Sequence, residues 1–245
     1  MKGVILAGGR GTRLMPLTKA TNKHLLPVGR EPMLYHPLRQ MVNAGIDEVL
    51  VVTSSEHMGH VVTCLGSGDE FGCSLSYKVQ PEPRGIADGL RLAEDFARDE
   101  RICVFLGDNI FEDDIAPWVH RYANQREGAR VVLKQVSDPC RYGVAALDEQ
   151  HILDIEEKPS RPRSSFAVVG LYFYGPEVFD VIRTVRPSAR GEYEITTVNN
   201  AYIARQQLEY EICQGRWTDA GTFESYFEAN RILMERDARR MLRAA

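Results

Sequence analysis

A short apolar run, Val4 to Ala7, ends directly in Gly8-Gly9-Arg10-Gly11-Thr12-Arg13-Leu14. An apolar β-type run that stops at clustered glycines reads as a strand delivering a tight loop to a sheet edge. The first half keeps this rhythm. Buried-strand patterns fall at 48–53, 75–80 and 101–106, and helical patterns at 32–44, 59–65 and 86–98. Such alternation predicts a mostly parallel central sheet flanked by helices on both faces, an α/β fold. The second half is more mixed. Helices are expected at 116–126, 176–185, 194–205 and 222–242, and strands at 130–136, 143–147, 152–156, 167–174 and 208–213. The basic, proline-rich stretch 158–165 sits between strands and reads as a loop within the fold.

A chain of 245 residues can form one large domain or two small ones. With 44% hydrophobic and 26% charged residues, disorder, collagen and coiled coil are excluded. The formal net charge of −4 gives no electrostatic reason to expect nucleic acid as a partner. Five scattered cysteines contain no C-x-x-C pair, so neither a zinc site nor a redox dithiol is indicated. They read as reduced thiols. The apolar run at the N-terminus is too short for a signal peptide, and no apolar stretch approaches the roughly 18 residues needed to span a bilayer. A cytoplasmic protein with no membrane partner is therefore expected.

The glycine loop can present consecutive backbone N–H groups to an anion, with a hydroxyl from Thr12 and a forked guanidinium from Arg13. It lies where a parallel sheet binds its ligands, beyond the carboxyl ends of the strands. It is not a Walker A loop, because Gly-Lys-Ser/Thr is missing. It is not a dinucleotide fingerprint either, because position 14 is Leu14. A plain glycine turn with no ligand stays open at this point.

Downstream, Lys23 stands in T-N-K-H-L-L-P. The run G-G-x-G-T-R-L-x-P-x-T, then Lys, then L-P, resembles the signature of the sugar-1-phosphate nucleotidyltransferases, in their glucose-1-phosphate thymidylyltransferase branch. The resemblance continues in order through most of the chain. Its further motifs are Y-K-V-Q-P-E-P at 77–83, L-G-D-N-I-F at 106–111, Tyr142-Gly143, E-E-K-P at 156–159 and G-L-Y-F-Y at 170–174. S-A-R-G-E at 188–192, E-I-T at 194–196 and W-T-D-A-G-T at 217–222 complete it.

What the resemblance implies is specific. The fold is Rossmann-like, of the glycosyltransferase-A type. Leu6, Gly8, Gly9, Gly11, Thr12, Arg13, Gln80, Pro83, Gly85 and Asp108 are expected to bind the nucleotide, with Gln80 reading the base. Asn109, Tyr142, Gly143, Glu157, Lys158, Val168, Gly170, Tyr172, Arg190 and Trp217 are expected on the sugar phosphate. Arg13, Lys23 and Lys158 take the catalytic roles, and Asp108 and Asp219 bind Mg2+. The implied reaction joins a nucleoside triphosphate to a sugar 1-phosphate and releases pyrophosphate. In-line attack on the α-phosphorus requires no protein nucleophile, so catalysis must be positioning plus charge neutralisation. A homo-oligomer is compatible with the family. The motifs run from Gly8 to Thr222, so residues 1–245 are expected to form a single catalytic unit closed by a helix within 222–245. No long regulatory tail is expected, and feedback by product at a second site is expected to be weak or absent.

Taken one at a time, these residues also have plain structural uses. Asp108 and Asp219 can cap turns or helices, and Trp217 and Tyr172 can be core. Glu157 and Lys158 can be an edge charge pair, and Lys23 a solvated loop lysine. The six histidines lack metal spacing and receive no role. Three positions depart from the branch. Ile86-Ala87-Asp88-Gly89 replaces L-A-Q-A, Val169 replaces a threonine and Thr197 an aspartate. The base therefore rests on Gln80, with dTTP favoured and UTP second, and glucose is the favoured sugar. A non-catalytic nucleotide-sugar sensor on the same fold is the alternative. A nicotinamide oxidoreductase is disfavoured by the missing third glycine.

Overall fold

The computed structural model describes residues 1–244. Its strands are β1 (Lys2–Ala7), β2 (Pro27–Val28), β3 (Glu31–Pro32), β4 (Glu48–Ser54), β5 (Ser74–Gln80), β6 (Ile102–Leu106) and β7 (Asn109–Phe111). They continue as β8 (Ala129–Gln135), β9 (Gly143–Leu147), β10 (Ile152–Glu157), β11 (Phe166–Tyr174), β12 (Leu208–Ile212) and β13 (Trp217–Asp219). The helices are α1 (Tyr35–Asn43), α2 (Met58–Leu65), α3 (Ile86–Arg91), α4 (Glu94–Ala97), α5 (Ala116–Ala123), α6 (Val178–Thr184), α7 (Ile195–Ile203) and α8 (Phe223–Ala244).

Strands β5, β4, β1 and β6 lie side by side and parallel, so their carboxyl ends share one edge. Strand β11 then runs antiparallel to β6, and β8 and β12 continue the sheet beyond it. Side chains alternate between faces, as strand geometry requires. Val4, Leu50, Val52 and Val104 share a core with Leu90 of α3, Ile182 of α6 and Val198 of α7. Ile5, Val49, Val51 and Phe105 share the opposite core with Leu38 of α1, Val61 of α2 and Trp118 of α5. Tyr172 and Tyr174 lie on one face, as their spacing predicts, and their rings stack at 6.2 Å. Helix α8 packs through Ala229, Ile232 and Leu233 on Val28, Met33 and Ile110.

One edge of β11 serves two neighbours. Its last four residues, Leu171 to Tyr174, pair with β6, while Ala167 and Val168 pair with β9. Val169 and Gly170 fall between them, where the register toward β8 also shifts. The gap is filled by Asn109, whose Oδ1 accepts from the Gly170 N–H at 3.0 Å. A Cβ on Gly170 would stand 2.6 Å from that side chain, so the close approach needs glycine.

Three features differ from the sequence pattern. The helix expected over 86–98 is two pieces, because the chain tightens after Gly89: Ala93 N donates to Leu90 O, three residues back. The helix expected from residue 32 starts at Tyr35, because Glu31–Pro32 is extended as β3 and pairs with β2. A small antiparallel ribbon, β7 with β13, sets Asp219 opposite Asn109 and Trp217 opposite Phe111. Three residues per strand are too few for periodicity to reveal. Among the described residues, no helix is long and apolar enough to cross a membrane.

Candidate active site

Two cavities open at the strand ends. One, of ≈ 330 Å³, is lined by Leu6, Gly8, Gly9, Gln80, Pro83 and Gly85 together with Lys23 and Asp108. The other, of ≈ 240 Å³, is lined by Asn109, Tyr142, Gly143, Val168, Gly170, Tyr172, Trp217 and Asp219. Arg13, Asp108, Glu157 and Lys158 line both, so the two are lobes of one cleft that meet at these side chains. Another cavity, of ≈ 470 Å³, lies beside α1 and α8 and contains none of the expected residues.

The glycine loop is shaped as much by what passes beneath it as by what it can bind. Gly11 has φ +64°, and a Cβ there would stand 2.9 Å from both Lys23 Cβ and Thr18 Cγ2. Thr18 Oγ1 donates to the Gly11 carbonyl at 2.8 Å and pins the turn. Gly11 and Thr12 themselves line neither lobe, and Thr12 starts the short 3-10 turn that carries Arg13. Asn22 ties the following segment to β1, with its Nδ2 donating to the Ala7 carbonyl at 3.3 Å.

Lys23 reaches across to Asp108 and forms an ion pair with Oδ2. Asn109 Nδ2 donates to Asp108 Oδ1 at 2.9 Å, and Asn109 Oδ1 also accepts from Trp217 Nε1 at 2.8 Å. Asn109 is therefore a buried hub that orients Asp108, with both its polar atoms already engaged inside the protein. Burial pushes the Asp108 carboxyl up, but the charge of Lys23 and the hydrogen bonds from Lys23 and Asn109 outweigh it and hold the group well below the usual range. His24 is buried and sits beside Lys23, which lowers its imidazole to about 3 and keeps it neutral.

Asp219 arrives on β13 beside this pair, and the next residue, Ala220, donates its N–H to the Asp108 carbonyl at 2.7 Å. Burial and then the like charge of Asp108 raise the Asp219 carboxyl, against Arg141, Arg13 and Lys23. Arg141 Nη2 lies 3.3 Å from Asp219 Oδ1, and the Tyr142 hydroxyl donates to the same oxygen at 3.2 Å. Burial and Asp219 raise the Tyr142 phenol. Arg13 lies against Gly221, its Nη2 3.0 Å from where a Cβ would stand.

Lys158 follows β10 in the left-handed region, at φ +46°, with its N–H on the Tyr142 carbonyl at 2.9 Å. Glu157 accepts from Thr196 Oγ1 at 2.6 Å and lies 3.3 Å from Arg190 Nη2. Arg190 lines neither lobe; its guanidinium is bonded to Glu194 at 2.8 Å and reaches the cleft through Glu157. Sequence reasoning names Asp88 only as a departure and assigns no role to Thr196 or Arg141. The signal for Thr196 is its place in E-I-T, and for Arg141 its position next to Tyr142.

The chain matches the family described as nucleotidyl transferase over residues 2–236. A glucose-1-phosphate thymidylyltransferase of Neisseria meningitidis is 44% identical over 234 residues, covering 94% of this chain and 81% of that protein. One from Mycolicibacterium smegmatis is 42% identical over 233 residues, with 94% and 81% coverage. A Bacillus anthracis protein described as a glucose-1-phosphate thymidylyltransferase, crystallised with sucrose, superposes with a TM-score of 0.92 at 53% identity, covering 96% of this chain and 95% of that one. A UDP-glucose pyrophosphorylase bound to UDP-glucose shares the fold, with a TM-score of 0.85 at 24% identity over 96% of this chain and 98% of that one.

Proposed function

The chain belongs to the nucleotidyl transferase family, and on that premise we propose that it joins dTTP, with UTP as the second choice, to a sugar 1-phosphate, glucose 1-phosphate first, to give a nucleoside-diphosphate sugar and pyrophosphate. The observation that carries this reading is the meeting of the two lobes at Arg13, Asp108 and Lys158. Two polyanionic substrates laid in the two lobes would touch where the cleft concentrates its cations. Residues 1–245 act in this reading as one catalytic unit.

In the reaction a sugar-phosphate oxygen attacks the α-phosphorus in line, and the bond from that phosphorus to the pyrophosphate oxygen breaks. A phosphate monoester is already largely ionised at neutral pH, so no general base is required. Gln80 and Gly85 take the base end, with Gly8 and Gly9 beside the nucleotide. Arg13 and Lys23 neutralise the triphosphate and the departing pyrophosphate. Lys158 holds the attacking phosphate, and Glu157, braced by Thr196, takes a sugar hydroxyl. Tyr142, Gly143, Val168, Tyr172 and Trp217 wall the sugar lobe.

The donor set fits a hard divalent cation. Asp108 and Asp219 are two carboxylates of one lobe, and burial together with the like charge of Asp108 raises the second, a cost that bound cationic charge would relieve. Among the described residues no third His, Cys, Asp or Glu joins these two, so Asp108 and Asp219 are the residues that would hold the ion. Bound there, Mg2+ would supply positive charge beside the reacting phosphates. Asp108→Asn should shift the Mg2+ titration of activity to higher concentration; superimposable curves for variant and wild type would remove this assignment. The five free thiols support a reducing, cytoplasmic setting.

The deciding experiment is pyrophosphate release with dTTP, UTP, CTP, GTP and ATP, each against several sugar 1-phosphates. Release with dTTP and glucose 1-phosphate supports the reading. Nucleotide binding without release under any pairing makes the protein a sensor instead.

A further inference from the structure

Gln80 is buried at the end of β5, and the two ends of its amide have opposite chemistry. Its Nε2 donates to Asp88 Oδ2 at 3.0 Å and lies 3.4 Å from the Gly85 carbonyl oxygen. A carboxylate and a carbonyl can only accept, so both hold the NH2 end toward α3. The Oε1 end is thereby turned to the glycine loop. It lies 2.7 Å from where a Cβ on Gly8 would stand, and Gly8 and Gln80 line the same lobe. Asp88 is itself buried, with 5% of its side chain exposed. Its other oxygen, Oδ1, accepts from Arg84 Nη2 at 2.9 Å and Arg91 Nη2 at 3.2 Å. Two guanidiniums on the outer side satisfy the buried carboxylate, and its inner oxygen is committed to Gln80.

We propose that Asp88 is a positioning residue for base selection, locking the Gln80 amide so that the cleft meets an acceptor and not a donor. The inference rests on the reading of this lobe as the nucleotide lobe. Thymine and uracil carry an N–H at the centre of their pairing edge and match an acceptor. Cytosine carries a bare ring nitrogen there and is opposed by it. An unlocked glutamine can turn its amide over and serve either base. Asp88 cannot follow such a turn, because it has no proton to offer. The departure from L-A-Q-A at position 88 thus becomes part of the base-reading apparatus.

The test uses Asp88→Asn, Gln80→Glu and the double variant, with melting temperatures recorded for each. Calorimetric binding of dTTP and of CTP is measured alongside kcat/KM for both. Asp88→Asn introduces an amide that can face Gln80 with either end, so the preference for dTTP over CTP should fall by about tenfold. Gln80→Glu alone sets two carboxylates together and should weaken dTTP binding by about tenfold or more. The double variant moves the donor to position 88 and still turns an oxygen to the base, so the dTTP preference should return to within about twofold of wild type. A wild-type dTTP-to-CTP ratio in Asp88→Asn, or an equal loss of both nucleotides, overturns the proposal. So does a double variant no better than Gln80→Glu. If no pyrophosphate is released by wild type while the calorimetric pattern holds, the catalytic reading fails and the positioning role stands.

Discussion

The two lobes of the cleft are built on different principles. The lobe around Gly8 and Gln80 sits where the parallel strands β1 and β5 stop, so the topology brings the glycine loop and Gln80 together. The lobe around Tyr142 and Trp217 depends on a break in pairing: β6 ends, β9 begins, and Asn109 fills the opening along β11. Its walls come from segments more than 100 residues apart, tied by the short β7–β13 ribbon and by side-chain contacts such as Trp217 to Asn109. The first lobe is a by-product of a regular sheet. The second exists only while a set of specific buttresses holds, and it should therefore fail separately.

The largest effect is expected where the lobes meet. Arg13 is exposed and lines both, so Arg13→Ala should lower turnover by about 10²–10³-fold without changing the melting temperature. Near wild-type turnover in steady-state kinetics would remove Arg13 from the chemistry. Gly170→Ala strikes the second lobe first. The added methyl meets Asn109, so KM for the sugar phosphate should rise about tenfold, and KM for dTTP, reached only through the bond from Asn109 to Asp108, by clearly less. Equal increases in both constants would mean that the lobes are not independent.

Thr196→Val removes one hydrogen bond to Glu157 and should raise the sugar-phosphate KM by about fivefold, again sparing dTTP. The smallest effect concerns the ribbon ends. Glu112 follows β7 and binds Arg216, which precedes β13. The Arg216 guanidinium outweighs partial burial and lowers the Glu112 carboxyl from 4.5 to about 2. A depressed carboxyl contributes stability above its unfolded value and loses it as pH falls through the folded one. Glu112→Gln should therefore cost at most about 1 kcal/mol at pH 7 and flatten the acid-side loss between about 4.5 and about 2. Unchanged acid-unfolding curves would contradict that role.

The difference between the lobes also decides how much of each is legible in the sequence. A local signal announces the glycine loop of the first, an apolar run ending in glycines, while Lys23 and Gln80 take their roles from the resemblance. Every strand of the main sheet was visible as an apolar or alternating run, because each buries at least one face. The second lobe announces its segments but not their joins. Nothing in W-T-D tells that it pairs with N-I-F, and three-residue strands leave no period to detect. The same holds for buttresses, since Thr196 reaches Glu157 across 39 positions and Arg141 reaches Asp219 across 78. In the sequence Asp88 is marked only as a departure from a pattern, and its hydrogen bond from Gln80 joins residues eight positions apart across a loop.

The divided edge of β11 makes a practical promise. The hairpin of β9 and β10 joins β11 at only two residues, Ala167 and Val168, yet it delivers Tyr142, Gly143, Glu157 and Lys158. The hairpin is also held by α7, where Asn200 bonds both the N–H and the carbonyl of Ile155 and Thr196 bonds Glu157. A graft that kept those contacts would change the wall shared by both lobes and leave the pairing of the parallel strands untouched.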